Sequence, residues 1–276
     1  MVYSALLAGL ATSAWAQEKT NVVVLSEENT VVLHSVMTDD TTSKVLAEIL
    51  EKDASLAAGK PIYLFLDSPG GSVVAGLDMI QGIQGLGREV KTITSFAASM
   101  AFITVQSLDE RIIMPHGVLM SHRAKGGVDG QIPGEMDSRY WFWKKYLNNA
   151  LKQTAKRLGM SVEQLQNKHR DEWWTSGSNA VAEHTSDRVA LVKCDSSLVG
   201  TMQEEVQTLF GPLKVTWSKC PLVKSPLKID MKGIAVKKMN ALERQDFDIA
   251  IKELFFDQPG LLRDFVMSGK YARWFK

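Results

Sequence analysis

One stretch limits the architecture of this chain more than any other. An apolar run, residues 62–66, breaks at Asp67-Ser68-Pro69-Gly70-Gly71 and resumes with Val73, Leu77 and Ile80 at helical spacing. A strand, a glycine turn and a helix in that order call for layers in which parallel strands are joined by crossover helices. The alternation extends in both directions. Upstream, residues 22–25 and 31–34 read as strands around the polar turn Ser26-Glu27-Glu28-Asn29, and Asp39 or Asp40 with Thr41 and Thr42 caps a helix carrying Val45, Leu46, Ile49 and Leu50. Downstream, residues 90–94, 101–107, 111–114 and 118–120 continue the pattern. The predicted class is α/β.

The same stretch carries chemistry. A glycine turn that opens a helix can aim backbone N–H groups at an oxygen gaining negative charge. Ala97-Ala98-Ser99-Met100 sets a lone hydroxyl among small residues, and Ser121-His122 closes the next strand with an imidazole. Hydroxyl, base and oxyanion donors are the parts of an acyl-transfer site. His116 is the rival base, but Pro115-His116-Gly117 reads as a turn ahead of the strand that delivers His122. His34 reads as a satisfied strand histidine and His184 as an exposed turn residue.

From Glu135 the pattern turns helical, with Tyr140, Trp143, Leu147, Leu151 and Leu158 recurring on one face and Gly159 at the stop position. The cluster Tyr140-Trp141-Phe142-Trp143 is apolar on more than one face, which predicts contact with another subunit. Lys125–Gly134 before it is glycine-rich, and Ser161 with Gln164 forms a capping-box start for a shorter helix after it. Beyond Val192 three prolines (Pro212, Pro221, Pro226) should break up long elements, and seven lysines between Lys214 and Lys238 face a single acid, Asp230. Without interleaved aromatics that run reads as a solvated face, and a net charge of +1 gives no general case for nucleic acid. Asn240 with Glu243 caps a last predicted helix through Phe247, Ile251, Leu254 and Phe255.

Residues 1–16 carry no charge and end Ala14-Trp15-Ala16, which reads as a secretory signal cut before Gln17, although no basic residue precedes the apolar core. They are too short for a membrane span, which takes about 20 apolar residues. Export to the periplasm or beyond is the expectation, with a cytoplasmic location as the alternative. The chain's two cysteines, Cys194 and Cys220, could pair in an oxidising compartment, worth about 3–4 kcal/mol in the chain-entropy account. Two cysteines alone make no metal site, and no cofactor is expected. The predicted organisation is a signal at 1–16, a catalytic domain at 17–192 and an extension at 193–276.

The ordered set DSPGGSV at 67–73, AASM at 97–100, Met120-Ser121-His122, KGGVDGQ, a long helix and RDEWW at 170–174 resembles the proteolytic subunit of the Clp protease family of self-compartmentalising serine peptidases. The resemblance covers residues from about 30 to 192. It implies layered ββα repeats of the Clp and crotonase type and a protruding handle helix; the tail beyond the family core reads from its own residues as an extra α-rich C-terminal appendage. The resemblance makes Ser99 the nucleophile, His122 the general base and Asp171 the orienting carboxylate, with the N–H groups of Gly70 and Met100 as oxyanion donors. Glu172 and Asp187 are the rivals of Asp171, and one extra residue in that loop unsettles its register. The resemblance also implies a homo-oligomeric ring acting on peptides or unfolded proteins, fed in the family by a cytosolic ATP-driven unfoldase that an exported chain could not use. Ser95 stands where the family has glycine, and Arg123-Ala124 where it has Gln-Pro. Those departures motivate a second reading, a catalytically silent ring or scaffold protein. A third is a crotonase-like acyl-CoA enzyme, which shares the layering and the two-amide oxyanion hole.

Overall fold

The computed structural model describes residues 21–208, 211–224 and 226–231. Its centre is a sheet in the order β2 (Thr30–Leu33), β3 (Ile62–Ser68), β4 (Val90–Ala98), β5 (Arg111–Ser121) and β6 (Trp173–Ser176), with the two-residue β7 (Arg188–Val189) also on β5. The first four strands run parallel and β6 closes the edge antiparallel to β5. Each parallel pair needs a crossover, and α1 (Asp39–Ser55), α2 (Val73–Gln84) and α3 (Met100–Ser107) supply the three. The expected α/β layering is what the chain adopts.

Strand β3 is largely apolar from Ile62 to Leu66 because both of its faces are covered there. Ile62, Leu64 and Leu66 face the helices and join Val45, Ile49, Met79, Phe102 and Val105 in the larger core. Phe65 faces the other way, with Ile93, Ile112 and Ala190, and is roofed by Val23 and Leu25. Those last two lie on β1 (Val22–Leu25), which pairs in parallel with β8 (Leu191–Cys194). The paired strand β8 therefore runs across the boundary expected between residues 192 and 193.

Local signals set most of the helix ends. Thr38, rather than an aspartate, caps α1: its hydroxyl accepts from Thr41 N–H while Thr41 answers the Thr38 backbone, leaving Asp39 and Asp40 to favour the positive end of the helix. Ser161 and Gln164 form the capping box of α5 (Val162–Lys168), as the sequence predicts. Helix α4 (Glu135–Arg157) ends before Gly159, which holds φ +68. Only the second half of α4 buries residues (Ala150, Thr154, Ala155), and Tyr140, Trp141 and Phe142 remain more than half exposed.

Two expectations change. The segment 111–120 is a single strand, but its register against β4 jumps between Ile113 and Val118, so Pro115-His116-Gly117 bulges out of the ladder. Beyond β8, where prolines were expected to break up long elements, the described residues form an antiparallel sheet in the order β11 (Lys228–Met231), β10 (Gly211–Ser218) and β9 (Thr201–Thr208). The helix expected from Asn240 and the signal-like residues 1–16 lie outside the described residues. Cys194 and Cys220 are joined in a disulfide with their Cα atoms 5.9 Å apart. Near it, Lys224 pairs with Asp67 at 2.7 Å, bringing the extension to the end of β3. No helix among the described residues is long and apolar enough to cross a membrane.

Candidate active site

The site forms where β4 and β5 end beside the turn that follows β3. Ser99 sits between β4 and α3 with φ +56 and ψ −116, a left-handed backbone that a non-glycine residue adopts at a cost of about 1–3 kcal/mol. The turn stays closed because Ser99 N–H donates to the Met120 carbonyl at 2.9 Å. Although Ser99 occupies the cap position of α3, its hydroxyl makes no capping hydrogen bond. It meets His122 Nε2 at 2.8 Å instead. A serine on a sharp strand-to-helix turn, held against an imidazole, is the arrangement that exposes a nucleophilic oxygen.

The glycine turn closes over the same point. Gly70 has φ +87, and a Cβ there would stand 2.5 Å from the Ala98 carbonyl oxygen and 2.7 Å from Met100 N. Only glycine lets this backbone approach so closely. Met100 opens α3, so its N–H is among those with no acceptor inside the helix. The two expected oxyanion donors are thus neighbours, but the Gly70 N–H is engaged, donating to Ser68 Oγ at 3.1 Å. The Ser68 hydroxyl in turn donates to the Ser35 carbonyl at 2.6 Å. Further bonds from Met37 N–H to the Gly70 carbonyl and from Ser72 N–H to the Met37 carbonyl, both 2.8 Å, anchor the turn.

Asp171 does not join this group here. Its side chain is 88% exposed and faces Arg170 at 3.7 Å. His122 Nδ1, where an orienting carboxylate would bind, is buried and has no hydrogen-bond partner among the described residues. Glu172 accepts from Trp174 Nε1 at 3.0 Å. Asp187 is committed to the buried Arg111: it takes hydrogen bonds from the Arg111 guanidinium and backbone, while Arg111 Nη1 donates to Gln106 Oε1 and the His184 carbonyl. Burial pushes the Asp187 carboxyl up, but those hydrogen bonds and the arginine charge hold it below the usual carboxylate range. His116 lies exposed in the bulge of β5.

Sequence reasoning assigned no role to Ser68, Ser121 or His169. Ser121 and His169 meet behind the site, Oγ to Nε2 at 2.7 Å, both buried. Burial first, then repulsion from His122 and Arg123, pushes the His169 imidazole down to about 4, so it is neutral at pH 7. Ser68 could have been noticed inside the glycine turn. The Ser121–His169 bond joins residues far apart in the chain and leaves no local trace.

The family model described as Clp protease matches residues 14–191. This chain belongs to the Clp protease family. Among curated relatives, it is 32% identical over 171 residues to the ATP-dependent Clp protease proteolytic subunit 3 of Synechococcus sp. (strain CC9902), covering 60% of this chain and 84% of that protein. It is 33% identical over 157 residues to the ATP-dependent Clp protease proteolytic subunit of Porphyromonas gingivalis (strain ATCC BAA-308 / W83), covering 55% of this chain and 69% of that one. Clp family membership supports a serine peptidase, and the family match stops before the disulfide and the three-stranded sheet of the extension.

Proposed function

We propose that this Clp family member is a serine endopeptidase whose nucleophile is Ser99 and whose general base is His122. The observation that carries the reading is the 2.8 Å approach of Ser99 Oγ to His122 Nε2 across a strained turn. A serine hydroxyl attacks a carbonyl carbon only as its proton leaves, and Nε2 is there to take it. The oxygen that becomes negative in the tetrahedral intermediate would meet Met100 N–H, with Gly70 N–H as second donor once Ser68 Oγ releases it. The imidazolium then returns the proton to the leaving amine, and water, activated by the same ring, hydrolyses the acyl-serine. The family resemblance expects an orienting carboxylate at Asp171, whose side chain is turned to solvent here.

The proposed substrates are short or already unfolded polypeptides, cleaved inside a homo-oligomeric ring. The joined Cys194 and Cys220 support an oxidising compartment, periplasmic or extracellular, where an ATP-driven unfoldase has no fuel. The relatives named above are ATP-dependent subunits; this chain is proposed to work without that partner. A second reading, a catalytically silent ring protein, is favoured by the unpartnered His122 Nδ1 and the engaged Gly70 N–H. Hydrolysis of a fluorogenic unstructured peptide by the purified full chain decides between them. The peptidase reading expects ATP-independent turnover that Ser99→Ala abolishes while assembly is kept. Turnover that survives Ser99→Ala, or an inactive wild-type chain, contradicts it.

A further inference from the structure

The peptidase reading leaves one atom unexplained: His122 Nδ1 is buried without a partner, while the same ring's Nε2 holds Ser99. A neutral imidazole bound through Nε2 to a hydroxyl carries its proton on Nδ1, and a buried N–H without an acceptor costs about 1–3 kcal/mol. Something must serve it when the site works.

The sheet register identifies the neighbour. Along the antiparallel ladder of β5 and β6, Leu119 faces Thr175, Met120 faces Trp174 and Ser121 faces Trp173. Ser121 and Trp173 are the last pair of the ladder; continuing its register by one step would set His122 opposite Glu172, and by two steps Arg123 opposite Asp171. Side chains alternate along a strand, so buried Ser121 and Trp173 mark the inner face, and Met120, His122, Glu172 and Trp174 share the outer one. Directly opposed residues in such a pair have Cβ atoms about 4.5–5.5 Å apart, within the span of a glutamate and an imidazole. The Glu172 carboxylate already lies on that face, on Trp174 Nε1. Asp171 is one residue further from the ladder, on the opposite alternation, and turned to solvent.

The other groups nearby do not compete. His169 faces Ser121 and carries no negative charge, and Arg123 is a cation. Asp187 is bound by Arg111, and Glu183 by Trp173 Nε1. Resting on the peptidase reading above, we infer that Glu172, not Asp171, is the positioning residue for His122. Its carboxylate exchanges Trp174 Nε1 for His122 Nδ1 by side-chain rotation. The glutamate's extra methylene gives it the reach to do so from an exposed backbone position, and the Trp174 indole is its resting partner.

The test compares Glu172→Gln, Glu172→Asp and Asp171→Asn in the full assembled chain, measuring kcat and KM separately on a fluorogenic peptide together with fluorophosphonate labelling of Ser99. Glu172→Gln is expected to lower kcat by about 10²–10⁴-fold with KM within about twofold, because losing the carboxylate disorders the base and not the substrate. Glu172→Asp should recover about tenfold over the glutamine variant, and Asp171→Asn should stay within about threefold of wild type in both constants. Should Glu172→Gln fail to assemble, Glu172→Asp carries the test: a kcat loss larger than that of Asp171→Asn supports the inference, and the reverse order overturns it. A wild-type chain that labels at Ser99 while Asp171→Asn is the inactive variant overturns the inference alone, as do equal losses at both positions. A wild-type chain that neither labels nor hydrolyses overturns the peptidase reading and this inference with it.

Discussion

Ser99 and Gly70 illustrate how a single residue type can be dictated by its neighbours' backbone. Gly70 combines φ +87 with a path so close to Ala98 and Met100 that a methyl group has nowhere to go. Gly70→Ala is therefore expected to push the turn away from α3 and lower kcat by about 10²-fold or more, the cost of one misplaced oxyanion donor. Steady-state kinetics beside a thermal melt checks this: activity should fall out of proportion to stability. His169 makes a different demand. Its imidazole titrates near 4 in the folded chain against an ordinary 6.5, so the unfolded chain takes up its proton first as pH falls. Stability is then complete above about 6.5 and lost as pH drops toward 4, by roughly 3 kcal/mol at most. The carboxyl groups of Glu110 and Asp187 are pushed up by burial and pulled further down by arginine and lysine hydrogen bonds, so their contribution is lost only as pH falls below their ordinary values of 4.5 and 3.8, at and beyond the lower end of that window. Melting temperatures between pH 7 and pH 4 should fall for wild type and fall less for His169→Gln, which keeps a hydrogen-bonding side chain but cannot charge. Equal slopes would contradict this account of the burial.

At the scale of elements, what could be read in the sequence was what neighbouring residues decide. The strand–turn–helix at 62–80 and the capping box at Ser161 depend on contacts a few positions apart, and both formed as written. So did the pairing of Ser99 with His122, because each ends or begins an element whose apolar pattern was clear. The cap of α1 was missed by one residue, since Thr38 reaches Thr41 where Asp39 was expected to act. The three-stranded sheet of the extension was invisible for a physical reason. Residues 201–205 are all exposed and, Met202 apart, polar, so no alternation marks a strand, and the lysines nearby suggested open surface. The third member proposed for the site was the hardest to read because that assignment depends on register between β5 and β6. Slipping a ladder by one residue trades Asp171 for Glu172 across from the base, and no local sequence signal reports such a slip.

The whole molecule poses the question of what covers the first half of α4. Tyr140, Trp141 and Phe142 expose over half of their surface, and Lys144 stacks over Trp141 at 4.6 Å from the ring centroid. On the proposed ring assembly such a face would lie at a subunit contact, so a Trp141→Glu, Phe142→Glu double variant is expected to fall to smaller species in sedimentation velocity while each protomer stays folded. An unchanged sedimentation coefficient would return these aromatics to solvent. The central claim concerns one oxygen. Fluorophosphonate treatment of the full chain, followed by mass mapping of the peptide that holds Ala97-Ala98-Ser99-Met100, reads its reactivity without needing to know the substrate. The account expects a stoichiometric adduct on Ser99 that His122→Ala removes. A chain unmodified at Ser99, or labelled equally well without the imidazole, would contradict it.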